Sequence, residues 1–180
     1  AVLLKASVKE LAAKHGLMAT FMAKWNEQLP GCSGHIHQSL WDLQKETNLF
    51  FDGGDPNNMS ELLKNYIAGQ LYCLPYIMPF YAPTINSYKR LVEGAWAPTT
   101  VSWGLENRTT ALRVINQNHK LTRLETRIPG SDTNPYLAMA ACLAAGLYGV
   151  KNNLKLEKEA TTGNGYRDTS NGVLPQNLHE

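Results

Sequence analysis

One short stretch of the sequence, residues 35–41, reads His35-Ile36-His37-Gln38-Ser39-Leu40-Trp41. Its branched and aromatic side chains follow a glycine-containing loop, which predicts a strand. On a strand, residues two positions apart point to the same face, so His35 and His37 would project side by side. Two imidazoles beside such a loop can bind a divalent metal ion or a phosphate. The alternative is a pair of half-exposed strand histidines, and spacing alone does not decide between them.

A second stretch with the same period of two reads Arg123-Leu124-Glu125-Thr126-Arg127. On a strand, Arg123, Glu125 and Arg127 share one face, and a carboxylate lies between two guanidinium groups. Guanidinium groups suit carboxylates and phosphates, and a central Glu can ligate a hard metal ion. The structural alternative is a ladder of salt bridges on a solvated face.

Two further runs place basic side chains in polar loops. The first is Asn86-Ser87-Tyr88-Lys89-Arg90, and the second extends from Glu106-Asn107-Arg108 to Arg113. Because only 18% of the chain is charged, these side chains are more typical of an anion-binding site than of a solubilising surface. Neither a Walker A nor a G-x-G-x-x-G sequence occurs, which excludes those Gly-rich phosphate loops. A Ser-His-Asp order and a nucleophile elbow are also missing.

The remaining periodicities predict an α+β fold class. Helical spacing covers residues 2–15 with Gly16 at C′, continues from the N-cap Ser60 to Pro75, and recurs from Pro135 to about Asn152. Strands are predicted over residues 17–24, 35–41, 100–103, 111–115 and 121–128. Residues 79–98 are predicted to be irregular, and the polar tail from Lys155 is predicted to be loop. Because strands and helices do not alternate regularly, α+β fits better than a doubly wound sheet.

Composition limits the classes of protein. The length of 180 residues, 43% of them apolar, is sufficient for one domain with its own core. Lys and Arg number 17 against 15 Asp and Glu, which excludes the strongly basic footprint of nucleic-acid or membrane-surface binders. A charged fraction below the usual ~25% indicates that a partner covers part of the surface.

Cysteine usage and hydropathy predict a cytoplasmic protein. Cys32, Cys73 and Cys142 are far apart and form no CxxC pair, so neither a disulfide framework nor a thiolate zinc site is expected. The N-terminal apolar run is too short for a signal peptide. Residues 65–88 contain three prolines, and residues 133–150 are rich in Ala and Gly. Both uncharged stretches are therefore predicted to be buried segments rather than membrane spans.

In their order along the chain, these motifs resemble the C-terminal catalytic half of class I glutamine synthetases. The resemblance covers about Val2 to Tyr166 and is carried by residues 19–24, Pro30-Gly31, 34–39, 86–94, Ala97-Pro98, Asn107-Arg108, Arg113, 123–127 and Asn134-Pro135-Tyr136-Leu137. It implies a glutamine synthetase-like catalytic fold with antiparallel strands and flanking helices. Residues 1–180 would form part of that domain, with 155–180 as a tail. The family's N-terminal domain and first catalytic strands would precede Ala1.

The resemblance also implies an activity. It is the ATP-dependent joining of glutamate and ammonia through a γ-glutamyl phosphate, with Mg²⁺ or Mn²⁺ as the metal ion. The family builds large ring-shaped homo-oligomers with sites shared between neighbouring subunits. Without the carboxylate-bearing strands that would precede it, the isolated 180-residue chain is expected to have no ligase turnover.

Individual residues take their expected roles from the same resemblance. His35 and Glu125 match metal ligands, and Arg108 matches the catalytic arginine that faces the transferred phosphate. The residues that match ATP contacts are His37, Ser39, Arg113, Lys120 and Arg123. The residues that match glutamate contacts are Gly31, Arg90 and Arg127. We therefore expect His35 and Glu125 to lie within about 5 Å of a common point, twice a typical ligand distance.

One position, Trp96, departs from the family pattern. Ammonia-using members carry a glutamate there, in the loop after Arg90, where it attracts ammonium and accepts its proton. An indole has only an N–H donor and is no base, although its face attracts cations. Ligases for larger amines, such as methylamine or polyamines, and non-catalytic lens homologues of the lengsin type are therefore alternatives to an ammonia-using enzyme. Trp96 would contact the amine in a ligase of that kind, or it would only pack the loop between Gly94 and Pro98.

Overall fold

The computed structural model describes residues 1–180 and has an α+β architecture, as predicted. Its helices are α1 (Val2–Lys14), α2 (Glu61–Tyr81), α3 (Ile85–Tyr88) and α4 (Pro135–Lys151), followed by a 3₁₀ turn at Gly165–Arg167. Its strands are β1 (Ile36–Gln38), β2 (Trp41–Asp42), β3 (Thr47–Asn48), β4 (Trp103–Leu105), β5 (Leu112–Ile115) and β6 (Arg123–Thr126). No helix combines the length and the apolar character that crossing a bilayer would require.

The main sheet has the strand order β1-β6-β5-β4, and β2 and β3 form a separate pair. β6 is antiparallel to both of its neighbours, as the family resemblance implies. β4 pairs with β5 in parallel, which corrects the expectation of an antiparallel sheet throughout. The short connection between them is held by side chains: the Asn107 amide donates to the Thr161 carbonyl oxygen, and the Thr110 hydroxyl donates to the Asn107 carbonyl oxygen.

The register of the central strands decides which side chains meet. His37 on β1 and Arg113 on β5 both lie opposite Glu125 on β6. Since side chains alternate between faces, these three share the front face of the sheet. The back face carries Leu124 and Thr126, both buried against the helices. A charged front and a buried back therefore follow from one register.

Helix α2 continues beyond its predicted end at Pro75 and contains both Pro75 and Pro79. A proline inside a helix removes a backbone hydrogen bond and costs ~3 kcal/mol. Here the last turns still bury Leu74, Met78 and Tyr81, which are spaced at helical intervals along one stripe. Burial of these side chains offsets the proline penalty, an effect that local propensity does not reveal.

Helices α2 and α4 pack closely behind the sheet. A Cβ at Gly69 would lie 2.3 Å from the Ala145 carbonyl oxygen, so only glycine permits this approach. The predicted start of α4 is confirmed, because the Asn134 side chain accepts hydrogen bonds from the Tyr136 and Leu137 amides. The helix then ends at Lys151, one residue before the predicted boundary.

Other predictions were incomplete or wrong. Residues 79–98, predicted to be irregular, contain the end of α2 and the short helix α3, which the Thr84 side chain caps. The strand predicted over residues 100–103 begins only at Trp103 and extends to Leu105.

Residues 17–24 form no strand, because the backbone of Lys24 pairs with the Asn86 side-chain amide instead of a neighbouring strand. The tail after Lys155 is mainly loop, but it is not detached: Leu174 is buried, and residue 173 bridges to Thr100. Helix α1 and the left-handed Gly16 after it are as predicted.

Candidate functional site

Glu125 is the centre of the charged front face. Its carboxylate is 3% exposed and lies on β6. Oε1 lies 2.9 Å from His35 Nδ1 and accepts a hydrogen bond from Arg127 Nη1 at 3.2 Å. Oε2 accepts a hydrogen bond from Arg113 Nη1 at 3.1 Å. The structure thus brings together His35 and Glu125 as predicted, and the solvated-ladder alternative is wrong because Glu125 is buried.

The surroundings of Glu125 keep it ionised. Burial alone raises the pKa of a carboxyl group, because the charged form loses hydration. The hydrogen bond from His35 and the nearby charge of Arg127 act against this burial, as does the bond from Arg113. Together they lower the pKa of Glu125 to about 2. The site therefore holds a fixed negative charge at neutral pH.

His37 lies on the same face as His35 but is more exposed. Its Nε2 is 3.7 Å from Glu125 Oε1, and its Nδ1 accepts a hydrogen bond from Arg123 Nε at 3.1 Å. Burial lowers the pKa of His37, and the charge of Arg123 lowers it further against the attraction of Glu125. A neutral imidazole is consistent with the bond to Arg123, since Nδ1 must then be unprotonated.

Arg113 connects Glu125 to a second carboxylate, Glu106, which the sequence did not single out as a site residue. Arg113 Nη2 donates to Glu106 Oε2, and Gln117 donates to Glu106 Oε1 at 3.3 Å. Burial lowers the pKa of Arg113, but the bonds to both carboxylates outweigh burial and raise it. The parallel pairing of β4 and β5 creates this contact, so periodicity within one strand gave no signal for it.

Arg90 lies apart from the residues that contact Glu125 and is buried, with only 1% of its surface exposed. Its Nη1 donates to Ser33 Oγ at 3.3 Å, and its Nη2 donates to the Ile128 carbonyl oxygen. The aliphatic part of Arg90 packs on Gly31, where a Cβ would approach Arg90 Cγ to 2.8 Å. Burial lowers the pKa of Arg90 to about 10, although the charge of Asp132 opposes this.

Trp96 follows Arg90 in the chain, and its backbone reaches the charged cluster. Its carbonyl oxygen accepts a hydrogen bond from Arg127 Nη2 at 3.3 Å, whereas its side chain is 64% exposed. Its φ of +56° is a left-handed conformation that a bulky residue rarely adopts. The backbone of this loop is therefore anchored to the charged cluster, and the indole projects from it into solvent.

Three predicted residues lie apart from these contacts. The Ser39 hydroxyl accepts a hydrogen bond from Trp41 Nε1 at 2.9 Å and touches none of the cluster. The side chains of Arg108 and Lys120 are exposed, and neither forms a hydrogen bond or an ion pair within the chain. Their expected roles toward phosphate groups stay predictions.

The residues around Glu125 suit part of a divalent-metal site. His35 Nδ1 lies 2.9 Å from Glu125 Oε1, so an imidazole nitrogen and a carboxylate oxygen, which is a hard donor, meet at one place. No group of three or more His, Cys, Asp or Glu side chains assembles in the chain, whereas Mg²⁺ prefers six ligands. His35 and Glu125 therefore fit as two ligands of a set that these 180 residues do not complete.

A cavity of about 470 Å³ opens beside the cluster. Polar lining groups come from Lys5, Ser33, His35, His37 and Ser131. The volume is within the range of ~300–1,000 Å³ typical of small-molecule sites. The histidines thus face a space that can admit a ligand.

Comparison with known proteins gives a consistent result. The family model described as glutamine synthetase, catalytic domain, matches residues 1–180. A type-1 glutamine synthetase 2 of Dictyostelium discoideum is 54% identical over 183 residues, which cover 100% of this chain and 35% of that protein. A glutamate–isopropylamine ligase of Pseudomonas sp is 46% identical over 167 residues, which cover 93% of this chain and 36% of that protein.

A solved structure described as a GmaS/ADP complex superimposes with a TM-score of 0.86 and 34% sequence identity. The match covers 98% of this chain and 42% of the other. The chain thus spans about a third of the length of the curated relatives it matches.

Proposed function

This chain belongs to the glutamine synthetase catalytic-domain family, and from that premise we propose that it supplies part of the active site of an ATP-dependent glutamate–ammonia ligase. The product is the γ-amide of glutamate, and the carboxylate is activated as a γ-glutamyl phosphate. The observation that carries the proposal is the cluster around Glu125. Two carboxylates, Glu125 and Glu106, contact a set of basic residues that lies on one sheet face.

The charge of this cluster favours an anionic ligand. Arg113, Arg123 and Arg127 carry one more positive charge than Glu106 and Glu125 carry negative charge. Guanidinium groups bind phosphate and carboxylate oxygens through paired N–H donors. A nucleotide phosphate or the substrate carboxylate would therefore balance the excess charge.

The residues of the chain divide into groups by what they would hold. When bound, the divalent metal ion neutralises phosphate charge and ATP supplies the phosphoryl group. We assign metal ligation to His35 and Glu125. We assign ATP contacts to His37, Ser39, Arg113, Lys120 and Arg123. Lys120 and Arg108 have exposed and unpaired side chains, so they are free to turn toward a phosphate.

Glutamate would be held on the other side of the cluster. Arg127 is fixed by Glu125 and by the Trp96 carbonyl, which gives its guanidinium a defined direction. Arg90 has no carboxylate partner within hydrogen-bond distance, so a substrate carboxylate would supply the missing anion. Gly31 packs against Arg90 and would present its backbone to the same ligand. Arg108 would face the transferred phosphate as the catalytic arginine.

A second candidate is a γ-glutamyl ligase for a larger amine. The exposed indole of Trp96 favours it, because an apolar, cation-attracting face suits an alkylammonium better than a small hydrated ammonium ion. One similar protein is a glutamate–isopropylamine ligase. A non-catalytic homologue with the same fold is the third alternative, and it predicts no turnover with any amine.

We further propose that the parent protein is a ring-shaped homo-oligomer in the cytoplasm. Exposed apolar side chains on α2 and α4, such as Tyr72, Tyr76 and Leu137, support a covered surface there. The isolated 180-residue chain should lack turnover, because His35 and Glu125 are only two of the metal ligands needed.

Phosphate release from ATP separates these functions. The parent protein and the isolated chain are each assayed with glutamate and with ammonium, methylamine, ethylamine or putrescine. Release that depends on ammonium supports the synthetase, release that depends on a larger amine supports the second candidate, and no release with any amine refutes both. Turnover by the isolated chain would contradict the partial-site proposal.

A further inference from the structure

A closed ring of side-chain hydrogen bonds lies directly behind Glu125 on the back face of the sheet. Gln38 on β1 donates from Nε2 to Thr126 Oγ1 on β6 at 2.9 Å. Thr126 Oγ1 donates to Gln70 Oε1 on α2 at 2.8 Å. Gln70 Nε2 then donates to Gln38 Oε1 at 3.0 Å and closes the ring. Gln70 is 1% exposed, so the ring is shielded from water.

The direction of donation is the same around the whole ring. Each of Gln38, Thr126 and Gln70 donates to the next member and accepts from the previous one. Two bonds tie the ring to its surroundings: the Tyr66 hydroxyl donates to Gln38 Oε1, and Gln70 Nε2 donates to the Cys142 carbonyl oxygen. Buried polar groups with every partner in place specify one arrangement, whereas a partly satisfied network is costly.

Two members of this ring adjoin the candidate site in sequence. Gln38 follows His37, and Thr126 follows Glu125. Because faces alternate along a strand, fixing Gln38 and Thr126 at the back fixes His37 and Glu125 at the front. β1 has only three residues and pairs with β6 alone at the sheet edge, so its backbone ladder provides few constraints.

We propose that the Gln38–Thr126–Gln70 ring is a register lock that holds β1 in place and so positions His37, and His35 just before the strand, beside Glu125. A slip of β1 by one residue would exchange the faces of His37 and Gln38. An imidazole would then enter the buried space, and Gln70 and Thr126 would lose their partner. The ring members act through the strands and are positioning residues, and their importance for turnover rests on the proposed function.

Two substitutions at Thr126 separate hydrogen bonding from packing. Thr126→Val keeps the shape and removes the hydroxyl, whereas Thr126→Ser keeps the hydroxyl and loses a methyl group. Gln70→Met removes the second ring member at similar volume. Thr122→Val is the matched control. Thr122 directly precedes β6, and its buried hydroxyl donates to the Asn118 carbonyl oxygen, outside the ring.

The first measurement is amide hydrogen exchange of β1, compared with α4 in the same molecule. We expect Thr126→Val and Gln70→Met to speed exchange in β1 about tenfold, which corresponds to ~1.4 kcal/mol, with little change in α4. Combining the two should add little, because either one opens the ring. Thr126→Ser and Thr122→Val should leave the ratio of β1 to α4 exchange near that of the parent.

The second measurement is ligase turnover of the parent protein. The lock predicts that Thr126→Val lowers kcat about tenfold with less change in the KM for glutamate, and that Thr126→Ser restores it. Equal acceleration in β1 and α4, or a larger effect of Thr126→Ser than of Thr126→Val, would overturn the lock. If the parent shows no turnover, the proposed function fails, and hydrogen exchange alone still decides whether the ring sets the register.

Discussion

Two buried charges, Glu125 and Arg90, have very different surroundings, although both are assigned to ligand binding. Glu125 contacts a basic side chain on each of its oxygens. The guanidinium of Arg90 donates only to the Ser33 hydroxyl and the Ile128 carbonyl oxygen, and its Nε has no partner. The pKa of Glu125 accordingly falls to about 2 against the effect of burial, whereas burial lowers the pKa of Arg90 to about 10.

The site thus has two halves that differ in charge balance. We call Glu125 with its basic partners the complete half, and Arg90 with its neighbours the incomplete half. The chain neutralises Glu125 with its own residues, so this carboxylate contributes to the fold before any ligand binds. Asp132 is the carboxylate whose charge acts on Arg90, but it accepts no hydrogen bond from the guanidinium: Oδ2 accepts from the Ser87 hydroxyl, and Oδ1 has no partner. Under the proposed function, a bound carboxylate would supply the anion that the Arg90 guanidinium lacks.

The largest effect should come from Glu125→Gln, which breaks the complete half. The variant keeps the shape but leaves Arg113 and Arg127 without their shared buried carboxylate. Removing one partner from a buried ion pair costs ~3–5 kcal/mol. Urea unfolding in metal-free buffer measures the change in the free energy of unfolding.

Glu106→Gln is the matched control for this change. It removes a carboxylate from the same Arg113, but Glu106 is exposed, and exposed pairs contribute only ~0–1 kcal/mol. If the two variants lose equal stability, Glu125 is not the structural centre of the cluster.

The same comparison predicts how stability depends on acid. The pKa of Glu125 is about 2 in the folded chain, below its usual value of 4.5, so its ionised form favours folding. This contribution is fully present above pH 4.5 and is lost as the pH falls toward 2. Stability curves in metal-free buffer should therefore differ least between parent and Glu125→Gln at the lowest pH. A difference in the free energy of unfolding that stays constant from about pH 6 to about pH 2 would count against this role of Glu125.

A smaller effect, and one on binding rather than stability, is expected for Arg90→Met. The variant loses two hydrogen bonds, which destabilises the fold, but it also removes a buried charge that has no anionic partner, which stabilises it. The free energy of unfolding should therefore change by less than ~2 kcal/mol. Glutamate should lose a charge-assisted contact of ~1.5–3 kcal/mol, a rise in KM of roughly 10- to 100-fold. Steady-state kinetics of the parent ligase would detect it.

The control for Arg90→Met is Arg167→Met, at an exposed guanidinium that pairs with Glu93. It should change neither stability nor the KM for glutamate appreciably. An unchanged KM in Arg90→Met would remove Arg90 from the glutamate site and leave its burial as a feature of the fold alone.

The complete half was also the half that the sequence predicted better. Alternation predicted that His35 and His37 share one face of their strand and that Glu125 shares a face with Arg123 and Arg127, because a period of two is a local property. That His35 and Glu125 meet was implied by the family resemblance and not by the period. Glu106 joined the cluster through a parallel pairing that no single strand encodes. Likewise, the ring behind Glu125 needs Gln70 from α2, which lies far from both strands in sequence.

The proline-containing end of α2 and the segment 17–24 show the same limit. Local rules ended the helix at Pro75, but packing of Tyr81 against Cys142 and its neighbours extends it. Local rules made residues 17–24 a strand, but the Asn86 amide takes up the backbone of Lys24. In each case a contact between distant parts of the chain outweighs the local preference.

The smallest expected effect concerns Trp96, whose loop joins the two halves by following Arg90 and binding Arg127 through its carbonyl. The exposed indole cannot accept a proton, but its face attracts an ammonium group by ~0.5–2 kcal/mol, which is roughly 2- to 30-fold. We expect the parent ligase to use ammonium poorly and to prefer an amine whose carbon chain packs on Trp96. Trp96→Glu should raise kcat/KM for ammonium relative to that amine by a factor in this range.

The backbone at Trp96 makes this exchange interpretable. Both Trp and Glu must adopt the same left-handed φ of +56°, a conformation that Glu106 already tolerates at φ +49°, so strain changes little between parent and variant. Trp25→Glu, at another exposed indole, controls for the added negative charge. A parent that already favours ammonium, with no gain in Trp96→Glu, would show that Trp96 does not select the amine. An equal shift in Trp25→Glu would instead assign the effect to the added negative charge and not to position 96.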